Sequence, residues 1–130
     1  MPLRPEQAHA LLPHVDPARL RGGWPVGLRD GALLALIAAG LSAEEVAGLQ
    51  ASAVTMERGH VQVALHRHRL TWTVALSTEL GARLLAWLTE RRLWATADLI
   101  FDSPQRPLSA AAIHQILCRY RRDRKTCECE

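Results

Sequence analysis

Basic side chains concentrate in two short segments of this 130-residue chain. The first is the run His66, Arg67, His68 and Arg69. The second holds five basic residues within seven positions: Arg119, Arg121, Arg122, Arg124 and Lys125. Guanidinium groups suit phosphate oxygens, so both segments are candidates for sequence-independent contact with a DNA backbone. The alternatives are a solvated hairpin tip for the first segment, and favourable cations at a helix C-terminus followed by a solvated tail for the second.

Histidine and cysteine near the C-terminus form a weaker pattern. His114 and Cys118 are four residues apart and would share a helical face, and Cys127 and Cys129 follow nine residues later. Structural zinc sites usually contain a Cys-x2-Cys pair, which is missing here. A lone buried Cys118 and a frayed C-terminal end explain the pattern better, so no metal or other cofactor is predicted.

The residues offer no local signature of an enzyme. Glu44 and Glu45 are neighbours, and neighbouring side chains on a helix point about 100° apart, so they do not form a paired-carboxylate site. The sequence contains neither a phosphate-binding P-loop nor a Gly-x-Gly-x-x-Gly motif.

Composition indicates a single ordinary globular domain. Apolar residues make up 48% of the chain and charged residues 22%, and the net charge is +3. No apolar run reaches the roughly 18 residues that a membrane span requires, and the first residues do not resemble a signal peptide. All three cysteines lie in the last 13 residues, which does not suit a disulfide framework. We therefore expect a cytoplasmic protein with no membrane partner.

Hydrophobic periodicity predicts an α+β fold, mainly helical with a small three-stranded antiparallel sheet. Helices are predicted at about 5–12, 28–39, 43–49, 78–92 and from about 109 to 122, and strands near 54–56, 61–65 and 70–76. Gly40 is a plausible helix end, Ser42 with Glu45 forms a capping box, and Ser77 caps the fourth helix. The tip at 66–69 lacks Gly, Asn and Asp, which predicts a slightly open loop rather than a tight two-residue turn. Trp72 and Trp87 fall on apolar phases and are expected in the core.

Several segments, taken in this order, carry a family pattern. A Leu-Arg-Asp-x-Ala-Leu-Leu helix corresponds to Leu28–Leu34, and a Gly-Leu-Arg-x-x-Glu-Leu helix start corresponds to Gly40–Val46, with Ser in place of Arg and Val in place of the last Leu. The end of a later strand and the helix start that follows it correspond to Val74–Ser77. A Pro-Leu-Ser helix start corresponds to Pro107–Ser109. The chain resembles the catalytic domain of the tyrosine recombinase (phage integrase) family over roughly residues 3–125. The resemblance implies one integrase-like domain at 1–125, with 126–130 as a tail, and a role connected with DNA recombination and integration.

The departures from the family pattern concern its catalytic residues. The family's first catalytic arginine follows Gly-Leu, and Ser42 stands at that position. Its catalytic lysine lies in the hairpin loop, where an ungapped register places Arg67. Its remaining His-x-x-Arg pair, further His or Trp, and tyrosine nucleophile would follow the last predicted helix, beyond Glu130. The only tyrosine, Tyr120, precedes that region and fits the core stripe.

We therefore expect a truncated, catalytically inactive integrase-like domain that binds DNA through phosphates, if it retains a partner. Strand cleavage needs an activated nucleophile, and it needs cations that stabilise the transition state. The competing hypothesis is a protein–protein interaction module, in which a homo-oligomer or another protein covers apolar surface. A recombinase relic without a function is the third possibility.

Overall fold

The computed structural model describes residues 3–93, 98–101 and 108–128, with side chains described up to residue 121. Within these ranges the fold is mainly helical with one antiparallel sheet, as the sequence predicts. The helices are α1 (Pro5–Leu11), α2 (Val26–Ala38), α3 (Ala43–Ala47), α4 (Thr78–Arg91) and α5 (Ala110–Glu128). The strands are β1 (Val54–Glu57), β2 (His60–Arg67) and β3 (Leu70–Ala75). Short 3-10 turns occupy Leu12–His14 and Ala51–Ala53.

Helix α2 lies at the centre because it is apolar on nearly every side. Eleven of its 13 residues are buried, and all four of the other helices contact it. The helix ends in a Schellman motif: the Gly40 N–H donates to the Ile37 carbonyl and the Leu41 N–H donates to the Leu36 carbonyl. Gly40 adopts a φ of 106°, a conformation that glycine tolerates without strain, so the predicted helix end is confirmed.

The sheet has the strand order β1-β2-β3, with both pairs antiparallel. Alternation along β2 buries Val61, Val63 and Leu65 against the helices. Gly81 allows α4 to approach this strand, because a Cβ at that position would lie 3.0 Å from the Val61 Cγ2 atom. The sheet is thereby fixed to α4, and α4 packs on α2.

The β2–β3 turn differs from its predicted form. Arg67 pairs with Leu70, which leaves only His68 and Arg69 as the loop, so the turn is tight and not open. Both loop residues have positive φ, 51° and 67°, as in a type I′ hairpin. The pairing of β2 with β3 continues as far as Arg67 and Leu70, and this pairing determines the turn. His68 and Arg69 adopt it although type I′ turns favour Asn and Gly.

Trp72 is not in the core, contrary to its predicted position. It pairs with the buried Leu65 and so lies on the core-facing side of the sheet, but its side chain is 50% exposed. The reason is that β3 is an edge strand, and the helices that cover the central strand do not extend over it. Trp87 is fully buried as predicted, with its indole N–H donating to the Ile100 carbonyl at 2.9 Å.

The remaining helix boundaries agree closely with the sequence. Ser77 caps α4 by accepting a hydrogen bond from the Leu80 N–H. The backbone of α5 is helical through Glu128, past the predicted helix end near Arg122 and the boundary that the sequence places after Lys125. No helix in the described part of the chain is long and apolar enough to cross a membrane.

Candidate nucleic-acid interface

The tip of the β2–β3 hairpin presents a compact basic surface. His66, His68 and Arg69 are exposed, and Arg67 is partly exposed. The His66 ring Nδ1 lies 3.4 Å from the Thr71 hydroxyl. Among the described residues, neither His68 nor Arg69 forms a side-chain hydrogen bond or ion pair, so both side chains are available to a ligand.

Arg67 is held by the protein itself. Its Nε donates to Oε2 of Glu45 at 2.6 Å and its Nη2 donates to Oε1 at 2.8 Å, so the ion pair is bidentate. The same Nη2 donates to the Gly40 carbonyl at 3.0 Å. Arg67 therefore anchors the hairpin to the α2–α3 corner, and its capacity for phosphate is largely used. The hydrogen bonds from Arg67 lower the pKa of the Glu45 carboxyl from 4.5 to about 2.

Ser42 acts as a helix cap. Its hydroxyl accepts a hydrogen bond from the Glu45 N–H at 3.1 Å, and its own N–H donates to the Glu45 carboxylate at 2.9 Å. This is the predicted capping box. At the position where the resembled family has an arginine, this chain has a short neutral hydroxyl that is bonded to its own helix. The Arg67 guanidinium reaches this corner from the hairpin, where it binds Glu45 and the Gly40 carbonyl.

Tyr120 is half-buried, and its hydroxyl faces the interior. It donates to Oδ2 of Asp30 at 2.5 Å, and Oδ1 of the same carboxylate accepts from Arg29 Nε at 2.9 Å. Burial, together with the Asp30 contact, raises the pKa of the Tyr120 phenol above its ordinary value of 10.0. A raised pKa leaves little phenolate at neutral pH, and phenolate is the form of tyrosine that attacks phosphorus.

The second basic segment is described only in part. Arg119 is exposed, and Arg121 is partly buried and engaged in a contact with the protein. Arg122, Arg124 and Lys125 lie on the helical backbone of α5, and their side chains are outside the described residues.

The structure does not bring the two basic segments together. Arg67 binds the carbonyl of Gly40 after the C-terminal end of α2, whereas Tyr120, next to Arg119, binds Asp30 near the N-terminal end. Asp30 and Gly40 are ten residues apart, which corresponds to about 15 Å at the helical rise of 1.5 Å per residue. The hairpin tip and Arg119, the first residue of the second basic segment, therefore lie in separate regions of the surface.

The metal pattern gains no support in the described residues. His114 and Cys118 share a face of α5, but the side chain of Cys127 and all of Cys129 are outside the described part. Where side chains are described, no group of three or more His, Cys, Asp or Glu residues is arranged to hold a metal ion.

The sequence does not predict that Glu45 binds Arg67 or that Asp30 binds Tyr120. Glu45 was explained completely by its capping box, so nothing local pointed to a second role. Asp30 carried a usable signal, because a carboxylate in the middle of an apolar helix needs a partner to be buried. The sequence does not say which residue supplies it, since Tyr120 is 90 positions away.

Comparisons with known proteins identify the fold. No protein-family model matches the chain, and no curated protein matches it significantly. Among solved structures, a XerH site-specific recombinase bound to its difH substrate in a pre-cleavage complex superposes with a TM-score of 0.70 at 23% identity, over 91% of this chain and 35% of that one. A XerA recombinase matches with a TM-score of 0.67 at 20% identity, over 92% of this chain and 42% of that one.

A post-cleavage complex of XerH with a palindromic difH substrate gives a TM-score of 0.63 at 24% identity, over 84% of this chain and 32% of that one. The chain thus spans well under half the length of each of these recombinases. At these identities the likeness concerns architecture alone. The chain has the fold of part of a tyrosine recombinase, as the helix, sheet and helix order indicates.

Proposed function

We propose that this chain is a catalytically inactive, recombinase-like domain that binds DNA through its phosphate backbone, with the β2–β3 hairpin as the main contact. The observation that carries the proposal is the conformation of the hairpin tip. His68 and Arg69 both have positive φ although neither is glycine, and both side chains are exposed. Positive φ at both positions is what a type I′ turn requires, and the pairing of β2 with β3 up to the tip presents both basic side chains on a two-residue loop.

The charge of the tip supports a phosphate ligand. Arg69 provides a free guanidinium, and the exposed His68 imidazole beside it can donate a hydrogen bond to a phosphate oxygen. The fold provides independent support, since a XerH recombinase with this architecture was solved bound to its difH substrate. The tip offers one free guanidinium and no helix that could lie in a major groove, so we expect binding without sequence preference.

The proposed lack of catalytic activity rests on two side chains, those of Ser42 and Tyr120. Ser42 supplies no cation for the non-bridging oxygens of a phosphate in the transition state, and its hydroxyl is committed to the capping box. The Tyr120 hydroxyl donates a hydrogen bond to Asp30, and the Tyr120 side chain is half-buried. Removing one transition-state donor typically costs a factor of about 10²–10³ in rate, and loss of the nucleophile eliminates the covalent step.

The test of DNA binding is a salt titration. Fluorescence anisotropy with a labelled duplex is measured at several salt concentrations for the wild-type chain, the variant Arg69→Gly and the control variant Arg92→Ala. Arg92 is an exposed arginine at the C-terminal end of α4. We expect the slope of log K against log salt to fall by about 0.9 in Arg69→Gly, the value for one lost phosphate contact, and not to change in Arg92→Ala. Failure of the wild type to bind even near 50 mM salt would overturn the proposal.

A protein–protein contact is a second candidate, and one observation favours it. Leu70 and Trp72 on β3 and Met56 on β1 are 59%, 50% and 58% exposed, although they pair with residues on the core-facing side of the sheet. Exposed apolar side chains on an edge strand invite association. Light scattering on the wild type and on Trp72→Thr distinguishes the candidates. A concentration-dependent dimer that the substitution abolishes would favour the interface, and a monomer throughout would exclude self-association.

A further inference from the structure

A small cavity opens between the connection that precedes α2, the first turns of α2 and the middle of α5. Its volume is about 80 Å³. Among the residues whose side chains are described, the cavity lining contains one carboxylate, that of Asp30, and four arginines: Arg19, Arg21, Arg29 and Arg119. Two of these come from a connection rich in proline and glycine, one from α2 and one from α5, so three separate parts of the chain converge on the same space.

The backbone of the connection is held rigidly against α2. A Cβ at Gly27 would lie only 2.0 Å from the Asp16 carbonyl oxygen, so the close approach is possible only with glycine. The Gly27 N–H donates to the Arg19 carbonyl at 3.0 Å. Arg21 and Trp24 exchange two backbone hydrogen bonds, each 2.9 Å long. The positions from which Arg19 and Arg21 reach the cavity are therefore determined by the fold.

The carboxylate in the cavity wall does not neutralise this charge. Asp30 is buried, and its two oxygens accept from Arg29 Nε and from the Tyr120 hydroxyl. In the described part of the chain, the guanidinium groups of Arg19, Arg21 and Arg119 form no hydrogen bond or ion pair. Like charges brought together destabilise a fold unless an anion lies between them.

We propose that this cavity binds an oxyanion of the phosphate class, held by the guanidinium groups of Arg19, Arg21 and Arg119. Planar guanidinium forks match the oxygens of a tetrahedral anion, and a charge-assisted hydrogen bond is about twice as strong as a neutral one. A volume of about 80 Å³ exceeds the roughly 30 Å³ share of one water molecule and suits a small anion rather than a base or a sugar. The phosphate is either free in solution or part of a DNA backbone.

The site is distinct from the hairpin proposed above to bind DNA. The hairpin contacts the C-terminal end of α2, whereas the cavity lies at its N-terminal end. Substitutions in one region should therefore leave the other intact, and the two proposals can fail separately.

The experiment titrates inorganic phosphate into the wild-type chain at constant ionic strength, with chloride as the replaced anion, and follows binding by calorimetry and by thermal unfolding. We expect saturable binding with an accompanying rise in the unfolding temperature, since an anion that binds only the folded state stabilises it. Arg19→Ala and Arg119→Ala should each weaken phosphate binding about tenfold or more, and Arg92→Ala should leave it unchanged. Arg19 and Arg119 are exposed, and circular dichroism verifies that their variants fold.

Two results would overturn the proposal. One is the absence of saturable phosphate binding to the wild type. The other is phosphate affinity that is unchanged in both Arg19→Ala and Arg119→Ala. A duplex titration then identifies the source of the phosphate: if both variants also weaken duplex binding, the cavity takes a backbone phosphate, and if duplex binding is unchanged, it takes a free one.

Discussion

Tyr120→Phe should destabilise the protein although it removes a single oxygen atom. The Tyr120 hydroxyl donates to the Asp30 carboxylate at 2.5 Å, and Asp30 is only 4% exposed, so the substitution leaves a buried carboxylate oxygen without its protein donor. A hydrogen bond to a charged group contributes about 1.5–3 kcal/mol, and we expect a loss of about 2 kcal/mol. In a chain of this length that corresponds to a fall in Tm of about 6–10 °C.

The assay is urea unfolding at pH 7 of four proteins: wild type, Tyr120→Phe, Asp30→Asn and the double variant. Asparagine retains an acceptor oxygen without the charge, so Tyr120→Phe should cost about 1 kcal/mol less in that background. A loss below about 0.5 kcal/mol in the single variant would refute the reasoning, because the contact would then contribute little in solution.

The same contact predicts an alkaline dependence. Burial and Asp30 raise the pKa of the Tyr120 phenol in the folded state above its ordinary value of 10.0. The contribution is therefore complete below pH 10 and is lost as pH rises above that value, because the unfolded chain releases the proton first. Unfolding measured from pH 8 to 11 should show this decline in the wild type and a smaller one in Tyr120→Phe. Parallel curves for the two proteins would contradict the assignment.

Three further substitutions test other parts of the structure. The pKa of Glu45 is lowered from 4.5 to about 2, chiefly by its hydrogen bonds from Arg67, so the stability from this pair should be present above pH 4.5 and lost as pH falls towards 2. Carbon-13 NMR should report that low pKa, and Arg67→Met should raise it; an unchanged pKa in the variant would contradict the pairing. Gly27→Ala should cost about 3 kcal/mol or more in urea unfolding, because its Cβ would collide with the Asp16 carbonyl, and a loss below 1 kcal/mol would contradict this packing. Arg69→Gly should raise the free energy of unfolding by about 0.5–1 kcal/mol, since glycine accepts the φ of 67° without strain, and a decrease would refute the strained turn.

The features that sequence predicted well depend on a few neighbouring residues. Ser42 and Glu45 are three residues apart, and their capping box forms as expected. Gly40 ends α2, and alternating apolar residues identify β2. Such signals act within one turn of a helix or along one strand, so they can be interpreted without knowledge of the rest of the fold.

The features that sequence did not predict depend on distant parts of the chain. The exposure of Trp72 depends on which strand is at the edge and how far the helices extend over it. The tight turn at His68 depends on pairing along the whole of β2 and β3, which overrides the local preference for a longer loop. The pair of Arg67 with Glu45 spans 22 positions. Apolar periodicity shows that a side chain is near the core, but it does not identify the partner of a charged group.

The proposal that this fold binds DNA without cleaving it is tested most directly with one sample on two gels. The chain is incubated with a labelled, nicked duplex at low salt, and half of the sample is run under native conditions and half after denaturation. We predict a fully shifted duplex on the native gel and only free, uncleaved strands on the denaturing gel. An unshifted duplex would contradict the binding, and a strand covalently attached to protein would contradict the inactivity.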